Sequence, residues 1–148
     1  MEQTKGISLS TKEIGQLGEK IAAGFLMKQG FSILQRNYWK KWGEIDIVAR
    51  TPVTSQGNVL GETSGKIHFV EVKSVSYETK QDLEYAVTHE TWRPEELVHQ
   101  FKLHQIHKAL ETWLIENNYD GDWQIDVAAV RLVPHETFAS VNIIENIT

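Results

Sequence analysis

The amino-acid sequence predicts one α/β domain in which a mixed β-sheet is flanked by helices. The pattern of apolar residues gives the order helix, strand, strand, strand, helix, strand. A long helical segment between the third and fourth strands predicts that these two strands are parallel, because a parallel pair needs such a crossover. The chain has 148 residues, of which 41% are hydrophobic and 24% are charged. That size and balance are typical of a single globular domain, here residues 1–148.

The first predicted helix covers residues 11–29. Ser10 is followed three residues later by Glu13, which is the capping-box signature of a helix start. Gly30 comes directly after the last turn and favours a left-handed helix end. Apolar and small residues at helical spacing form one face, namely Ile14, Leu17, Gly18, Ile21, Ala22 and Phe25. We therefore expect this helix to pack on the sheet.

Two strands are predicted next, over residues 31–38 and 44–50, with a tight turn between them. The second strand alternates between apolar and acidic residues. With a period of two, Ile45 and Ile47 are predicted to share one face of the sheet, which places Asp46 on the other face.

The third strand is predicted over residues 67–73, with Glu71 and Lys73 on one face. Polar segments lie on both sides of it. Residues 51–65 are rich in Gly, Ser and Thr and are predicted to form an enlarged hairpin loop. Residues 74–93 are polar and acidic without a sustained period, which predicts a mobile flap.

A second long helix is predicted to begin at Pro94, since proline is favoured at the first helical position, and to end near residue 117. A fourth strand follows over residues 123–132. A short fifth strand is expected at residues 141–144, at an edge of the sheet.

Composition excludes several classes of protein. The chain has no cysteine, so disulfide scaffolds, Cys-based zinc sites and thiol nucleophiles are excluded. The net charge is −5, but residues 1–50 carry +3 and the rest −8, which weakens the case for phosphate binding without excluding it. The longest apolar stretch is far shorter than the ~20 residues that a bilayer span needs, and no secretory signal is visible. We expect a cytoplasmic protein without membrane contact.

Carboxylates on neighbouring strands predict a metal site. Asp46 and Glu71 are expected on strands that form a hairpin, and burying two carboxylates together is costly unless a cation joins them. Mg²⁺ suits such a pair, because it takes few protein oxygens and keeps water and phosphate as its other ligands. Lys73 lies on the same strand face as Glu71, about 7 Å along the strand, and could orient a water molecule for phosphodiester hydrolysis. The alternative is an ordinary solvated, salt-bridged sheet face.

Several segments of the sequence resemble one known family. These are residues 17–19 (LGE), 30–31 (GF), 34–38 (LQRNY), 43–49 (GEIDIVA) and 69–73 (FVEVK). In this order they resemble the YraN family of uncharacterised, endonuclease-like proteins. That family belongs to the PD-(D/E)xK nuclease superfamily and has a core similar to that of archaeal Holliday-junction resolvases. The resemblance implies a restriction-endonuclease-like, three-layer core in which a mixed central sheet is flanked by helices.

The resemblance also implies roles for single residues. Asp46 matches the metal-binding aspartate of the superfamily, Glu71 the second carboxylate, and Lys73 the catalytic lysine. Glu19 matches a glutamate that reaches the site from the first helix, and an ordinary helix-surface glutamate is the alternative. The carbonyl oxygen of Val72 is expected beside the carboxylates as a further ligand of Mg²⁺ or Mn²⁺.

The chain departs from the family pattern at two positions that bear on phosphate binding. Relatives carry an arginine two residues after the motif lysine, where this chain has Val75. They carry another arginine in the fourth strand, where this chain has Gln124. Two expected phosphate contacts are therefore missing.

Other basic and aromatic residues are candidates for nucleic-acid binding. Lys40, Lys41 and Trp42 interleave charge and ring in the way that phosphate contacts and base stacking require, although tryptophans that cap a sheet edge explain the pattern equally well. Lys102 in the second long helix is expected to contact a phosphate or, alternatively, to be a solvated lysine.

The sequence and the resemblance together predict a Mg²⁺- or Mn²⁺-dependent endonuclease. Its expected partner is DNA, branched or single-stranded, in repair or recombination, and it could act as a homodimer. The alternative is a nucleic-acid-binding or protein-binding module that keeps the fold without catalysis. The intact Asp46, Glu71 and Lys73 favour the enzyme, whereas Val75, Gln124 and the negative net charge favour the binding module.

Overall fold

The computed structural model describes residues 8–52, 65–94 and 100–147 of the chain. Its elements in chain order are α1 (Thr11–Lys28), β1 (Ser32–Lys40), β2 (Gly43–Arg50), β3 (Ile67–Ser76), α2 (Lys80–Thr88), α3 (Gln100–Glu116), β4 (Trp123–Val133) and β5 (Phe138–Ile144). A short 3₁₀ helix at Pro134–Glu136 joins the last two strands. The predicted order is confirmed, and α2 is one element more than predicted.

The five strands form a single mixed sheet in the order β1-β2-β3-β4-β5. β2 is antiparallel to both of its neighbours, β1 and β3, whereas β3 and β4 are parallel, and β5 runs antiparallel to β4 at an edge. Both the parallel pair and the edge position of β5 agree with the sequence prediction. The crossover therefore makes β3 a central strand, with β2 on one side and β4 on the other.

Two apolar layers separate this sheet from the helices. The layer on one face contains the α1 residues Ala22, Ala23 and Leu26. The layer on the other face contains the α3 residues Ile106, Ala109, Leu110 and Trp113. The result is a three-layer α/β/α arrangement, which is that of a restriction-endonuclease-like core, as the resemblance implied.

The start of α1 has the predicted capping box. The backbone N–H of Glu13 donates to Ser10 Oγ at 3.1 Å, and the backbone N–H of Ser10 donates to Glu13 Oε1 at 3.0 Å. These two bonds satisfy N–H groups that have no partner within the helix. The cap fixes where α1 begins, and hence which of its residues face the sheet.

The predicted common face of Ile45 and Ile47 is wrong. Ile45 packs with Tyr38 in the layer under α3, whereas Ile47 packs in the layer under α1. In β1, Asn37 lies between the partners of these two residues and has the left-handed φ of 52°. Such a residue departs from strand geometry, and the alternation of faces in β2 is interrupted opposite it. Asp46 lies at this interruption.

The predicted flap at residues 74–93 contains regular structure instead. β3 continues to Ser76, and Thr79 caps α2 by accepting a hydrogen bond from the Asp82 N–H at 3.0 Å. Only Leu83 and Ala86 of this helix are buried. Two buried residues in nine are too few to give a visible period, which is why the sequence pattern missed the helix.

Two predicted segments lie partly outside the described residues. The enlarged loop at 51–65 connects the antiparallel β2 and β3, and its base is closed by the Lys66 N–H, which donates to Thr51 Oγ1 at 2.6 Å. Residues 53–64 of that loop are not among those described, and neither are residues 95–99, which follow the predicted start of the second long helix at Pro94. None of the described helices is long and apolar enough to cross a lipid bilayer.

Candidate active site

The carboxylates predicted for the site lie where β2 and β3 diverge. The last residue pair between these strands is Ile47 with Val70, and Asp46 and Glu71 follow directly beyond it. In place of a backbone partner, the Val72 N–H donates to Asp46 Oδ2 at 2.7 Å. We call the place where the strands diverge, at Asp46 and Glu71, the strand fork. It brings these two carboxyl groups close enough together for each to shift the pKa of the other.

Glu71 is the most deeply buried carboxylate of the strand fork, with 6% of its surface exposed. Its Oε1 atom lies 3.7 Å from Lys73 Nζ and 3.8 Å from Lys102 Nζ. Its Oε2 atom is buried and has no hydrogen-bond partner among the described residues. One side of the carboxylate is therefore neutralised by lysines, and the other side is left without a ligand.

Helix α1 adds a third carboxylate, that of Glu19. Its Oε1 atom is buried without a hydrogen bond, 3.5 Å from Arg36 Nη2. Gly18 lets the helix come this close, because a Cβ atom there would collide with the side chain of Ser74 on β3. Glu19 is therefore largely buried beside Arg36 and near enough to Asp46 for their charges to interact, while its role at the site stays a prediction.

The pKa values of all three carboxyl groups are raised. Burial raises the pKa of Glu71 to about 8, and the charge of Asp46 adds to this effect. Burial raises the pKa of Asp46 as well, although the hydrogen bond from Val72 opposes it. The pKa of Glu19 is raised by burial and then by the Asp46 charge. The ionised forms of these groups repel one another where water solvates them poorly. A bound cation would attract the ionised forms and so lower these pKa values.

The residues of the strand fork fit a small divalent cation. Glu71 Oε2 is a buried acceptor without a donor among the described residues, and such an atom is costly unless a ligand completes it. Within the described part of the chain, no three His, Asp or Glu side chains are grouped so that they could hold a metal ion together. Mg²⁺ does not need three such ligands, because it is usually held by one or two carboxylates together with water and phosphate oxygens. Asp46 and Glu71 are the pair that could hold it.

Val72 and Lys102 lie at the site in ways that the sequence did not specify. The structure gives Val72 a contact through its amide, which holds Asp46, while the predicted role of its carbonyl oxygen stays a prediction. Lys102 reaches across from the first turns of α3 to Glu71 and lies 4.0 Å from Glu44 Oε1. Its ammonium group is therefore a direct neighbour of the carboxylates.

The residues predicted for nucleic-acid binding in the first turn are Lys40, Lys41 and Trp42. Lys40 Nζ pairs with Glu116 Oε2 at 2.8 Å, and Trp42 Nε1 donates to Thr112 Oγ1 at 3.1 Å, while Lys41 is exposed. Since a helix rises 1.5 Å per residue, Glu116 and Thr112 lie about 21 Å and about 15 Å, respectively, from Lys102 along α3. The structure therefore brings Lys102 to the strand fork but not Lys40 or Trp42.

Sequence reasoning missed two partners of Glu19. Arg36 forms an ion pair with it, and the side chain of Asn37 lies close enough to lower its pKa in opposition to burial. Both residues are in the LQRNY segment that carried part of the resemblance. The signal available in the sequence was the asparagine at position 37 itself. Asparagine tolerates the left-handed conformation, which Asn37 adopts, better than other residues with a side chain.

A second buried carboxylate lies in the same sheet but is fully hydrogen-bonded. Asp126 on β4 is 2% exposed, and its Oδ2 atom lies 2.6 Å from His68 Nδ1. Its Oδ1 atom accepts hydrogen bonds from Gln124 Nε2 at 2.8 Å and from the Asn146 N–H at 2.9 Å. The hydrogen bond from His68 and the others hold the pKa of Asp126 below its usual value despite burial. Gln124 therefore serves a structural cluster that ties β3, β4 and the C-terminal segment together.

A three-layer α/β/α domain with two carboxylates and a lysine on adjacent strands is a protein of restriction-endonuclease-like fold. The profile of a family described as uncharacterised protein family UPF0102 matches residues 18–130 of the chain. The chain belongs to this family, which confirms the resemblance to YraN.

Curated relatives cover most of the chain. A UPF0102 protein of Pelobacter propionicus is 41% identical over 122 residues, which are 82% of this chain and 72% of the relative. One of Trichlorobacter lovleyi is 36% identical over 127 residues, 85% of this chain and 83% of the relative. One of Campylobacter fetus is 36% identical over 118 residues, 78% of this chain and 81% of the relative. The residues matched by the family profile include every residue of the strand fork.

Proposed function

We propose that this protein is a metal-dependent DNA endonuclease that hydrolyses phosphodiesters at the strand fork. The observation that carries the proposal is the pair of neighbouring carboxyl groups of Asp46 and Glu71, in which a buried oxygen of Glu71 has no donor among the described residues and Lys73 lies beside Glu71. Residues that serve only the fold rarely leave a buried carboxylate oxygen without a partner, because its desolvation is not compensated.

In this proposal Asp46 and Glu71 would hold a Mg²⁺ or Mn²⁺ ion, with Glu19 as a neighbouring acidic side chain. The ion supplies Lewis-acid stabilisation of the phosphoryl oxygens and lowers the pKa of water. Asp46 is positioned for this task by the Val72 N–H, which fixes Oδ2 and leaves Oδ1 for a ligand. Glu71 is positioned by two lysines on its Oε1 atom, so that Oε2 remains available.

Lys73 and Lys102 act on the phosphate in this proposal. Hydrolysis joins a water oxygen to phosphorus and breaks one ester P–O bond, with a proton lost from the water and one gained by the leaving oxygen. The Lys73 ammonium group orients the attacking water and offsets the negative charge that grows on the phosphate. Lys102 contributes a second positive charge, which suits a substrate that carries a charge on every nucleotide.

The test combines Mn²⁺ titration by calorimetry with cleavage assays on branched, flapped and single-stranded DNA. Wild-type protein should bind Mn²⁺ and cut at least one of these substrates. Lys73→Ala should abolish cleavage and leave Mn²⁺ binding nearly intact, since an ammonium group is not a metal ligand. A matched control is Lys108→Ala, which removes an exposed lysine of α3 and should change neither property.

The rival function is a binding module without catalysis. If wild-type protein binds branched DNA in the presence of Mn²⁺ and no Lys73-dependent cleavage occurs on any substrate, the binding module is correct and the nuclease proposal is wrong.

A further inference from the structure

A groove lies beside the strand fork, between the end of α2 and strands β4 and β5. It has a volume of about 680 Å³, and its charged lining residues are Glu90, Arg93 and Arg131. We propose that this groove binds an unpaired nucleic-acid strand next to the cleaved phosphodiester, with Arg131 on a phosphate and Trp92 against a base. The inference rests on the proposed function and names the substrate class of the same site.

The register of the sheet places Arg131 next to β3, the strand that carries Glu71 and Lys73. On the parallel strands β3 and β4, Val75 pairs with Arg131, and Lys73 pairs with Ala129. Arg131 and Lys73 therefore share one face of the sheet. With strands about 4.8 Å apart and about 3.3 Å per residue along a strand, their Cα atoms are roughly 8 Å apart. A nucleic-acid strand covers that distance with about two nucleotides, at about 3.4 Å each.

The surroundings of Arg131 leave its positive charge without a neighbouring carboxylate among the described residues. Among the residues that the structure describes, its guanidinium group makes no ion pair, and its Nε atom is buried without a hydrogen-bond acceptor. Its contact is the ring of Trp92, whose centroid lies 5.1 Å from Cζ. Arginine binds phosphate well in such a setting, because its planar fork can donate two parallel hydrogen bonds.

The aromatic ring in the groove favours an unpaired strand over a duplex. Trp92 is half-buried, so its ring is held in place while part of it faces the groove. Bases stack on aromatic rings and on guanidinium planes only when they are released from their own helix. Ser140 and Asn142 on β5 also line the groove and offer hydrogen bonds to a base or sugar.

The experiment measures binding of a fluorescein-labelled 12-nucleotide single strand by anisotropy, with EDTA present so that no metal-dependent cleavage can occur. Arg131→Gln should weaken binding by roughly five- to tenfold, and the slope of log K against log salt should fall by about one unit. Trp92→Ala should weaken binding of the single strand by about tenfold and that of a duplex of the same sequence by much less. Lys28→Gln is the matched control, because Lys28 is exposed on α1, on the opposite face of the sheet, and it should change nothing.

A second variant separates an effect on binding from an effect on folding. Arg131→Lys keeps the charge, so it should retain the slope of log K against log salt while losing part of the affinity. That result would show that the weaker binding of Arg131→Gln is not caused by a lower melting temperature. Equal affinity of Arg131→Gln and wild type, or no binding of the single strand by wild type, would overturn the inference. Binding that depends on Arg131 without any cleavage supports the groove and contradicts the nuclease proposal. Cleavage by the wild-type protein together with an unaltered affinity of Arg131→Gln would support the nuclease proposal and contradict the groove.

Discussion

Two buried carboxylates in one sheet differ in how their charge is satisfied. Asp126 has a donor for each of its oxygens, from His68, Gln124 and the Asn146 backbone, and its pKa is lowered. Glu71 has lysines on one oxygen, a second carboxyl group beside it and no donor on its other oxygen, and its pKa is raised to about 8.

The difference separates a structural acid from a functional one. Both residues are almost fully buried, so burial alone does not distinguish them. A carboxylate whose hydrogen bonds are complete stabilises the fold in its ionised form. A carboxylate whose bonds are incomplete costs stability, and that cost is returned when a cation binds. Three predictions test this contrast, and a fourth concerns the paired and exposed lysines of the turn between β1 and β2.

Removing a carboxylate of the strand fork should have the largest effect, and the effect should be on function. Asp46→Asn should lower Mn²⁺ affinity and any cleavage together, by at least about 100-fold, because it removes a charged ligand. The free energy of unfolding of the metal-free protein should stay the same or rise, since two like charges no longer repel. Calorimetry, single-turnover cleavage and urea denaturation measure these quantities. Strong destabilisation of the metal-free protein would show instead that Asp46 is part of a structural salt bridge.

Removing the satisfied carboxylate should have the opposite profile. Asp126→Ala leaves His68, Gln124 and a backbone N–H without their acceptor, so the free energy of unfolding should fall by about 3 kcal/mol. Mn²⁺ affinity of the folded protein should be unchanged. Asp120→Ala is the control, because Asp120 is exposed. A stable Asp126→Ala protein with impaired metal binding would refute the division between the two carboxylates.

The pH dependence of stability should separate the two groups as well. The folded-state pKa of Glu71 is raised to about 8, so between pH 5 and 8 the folded protein binds more protons than the unfolded chain. The stability of the metal-free protein should therefore fall as pH rises through this range, by at least about 1 kcal/mol. Glu71→Gln should flatten this slope. The lowered pKa of Asp126 acts the other way, because its stabilisation is lost as pH falls below about 4. Chemical denaturation in EDTA from pH 3 to 9 measures both; a flat profile between pH 5 and 8 would contradict the assignment of Glu71.

The smallest effect is expected in the turn between β1 and β2, where one lysine is paired and its neighbour is exposed. Lys40 is held by Glu116, so Lys40→Ala should change DNA affinity by less than twofold. Lys41→Ala should weaken it about two- to threefold and lower the salt slope by about one unit, with single-turnover chemistry preserved at saturation. Anisotropy at four salt concentrations compares the variants; a larger effect from Lys40 would mean that DNA displaces Glu116.

Much of the fold followed from local sequence signals. The capping box at Ser10, the crossover between β3 and β4, and the edge position of β5 each rest on one element and its neighbours, and each is confirmed. Residues of the site were predicted from local signals as well. Glu71 and Lys73 are two residues apart on one strand and therefore share a face, and the hairpin of β2 and β3 placed them beside Asp46.

What the sequence did not predict depends on contacts between distant segments. Ile45 packs under α3 because the alternation of faces is interrupted opposite Asn37, and a period of two carries no information about such an interruption. Helix α2 has too few buried residues to produce a pattern. Lys102 reaches Glu71 only because α3 lies across that end of the sheet. Packing decides each of these features, and packing is not visible in a local window.

The hydrogen bond from Val72 to Asp46 gives the protein a built-in spectroscopic reporter. The Val72 amide proton lies on a carboxylate oxygen at a donor–acceptor distance of 2.7 Å, at a point where the neighbouring strand no longer supplies a carbonyl group. Its chemical shift follows the electron density on that oxygen, and its rate of solvent exchange follows the persistence of the bond. A single peak in a ¹⁵N-correlated NMR spectrum therefore records what happens at Asp46, whether a proton or a metal ion arrives, without any label or substrate.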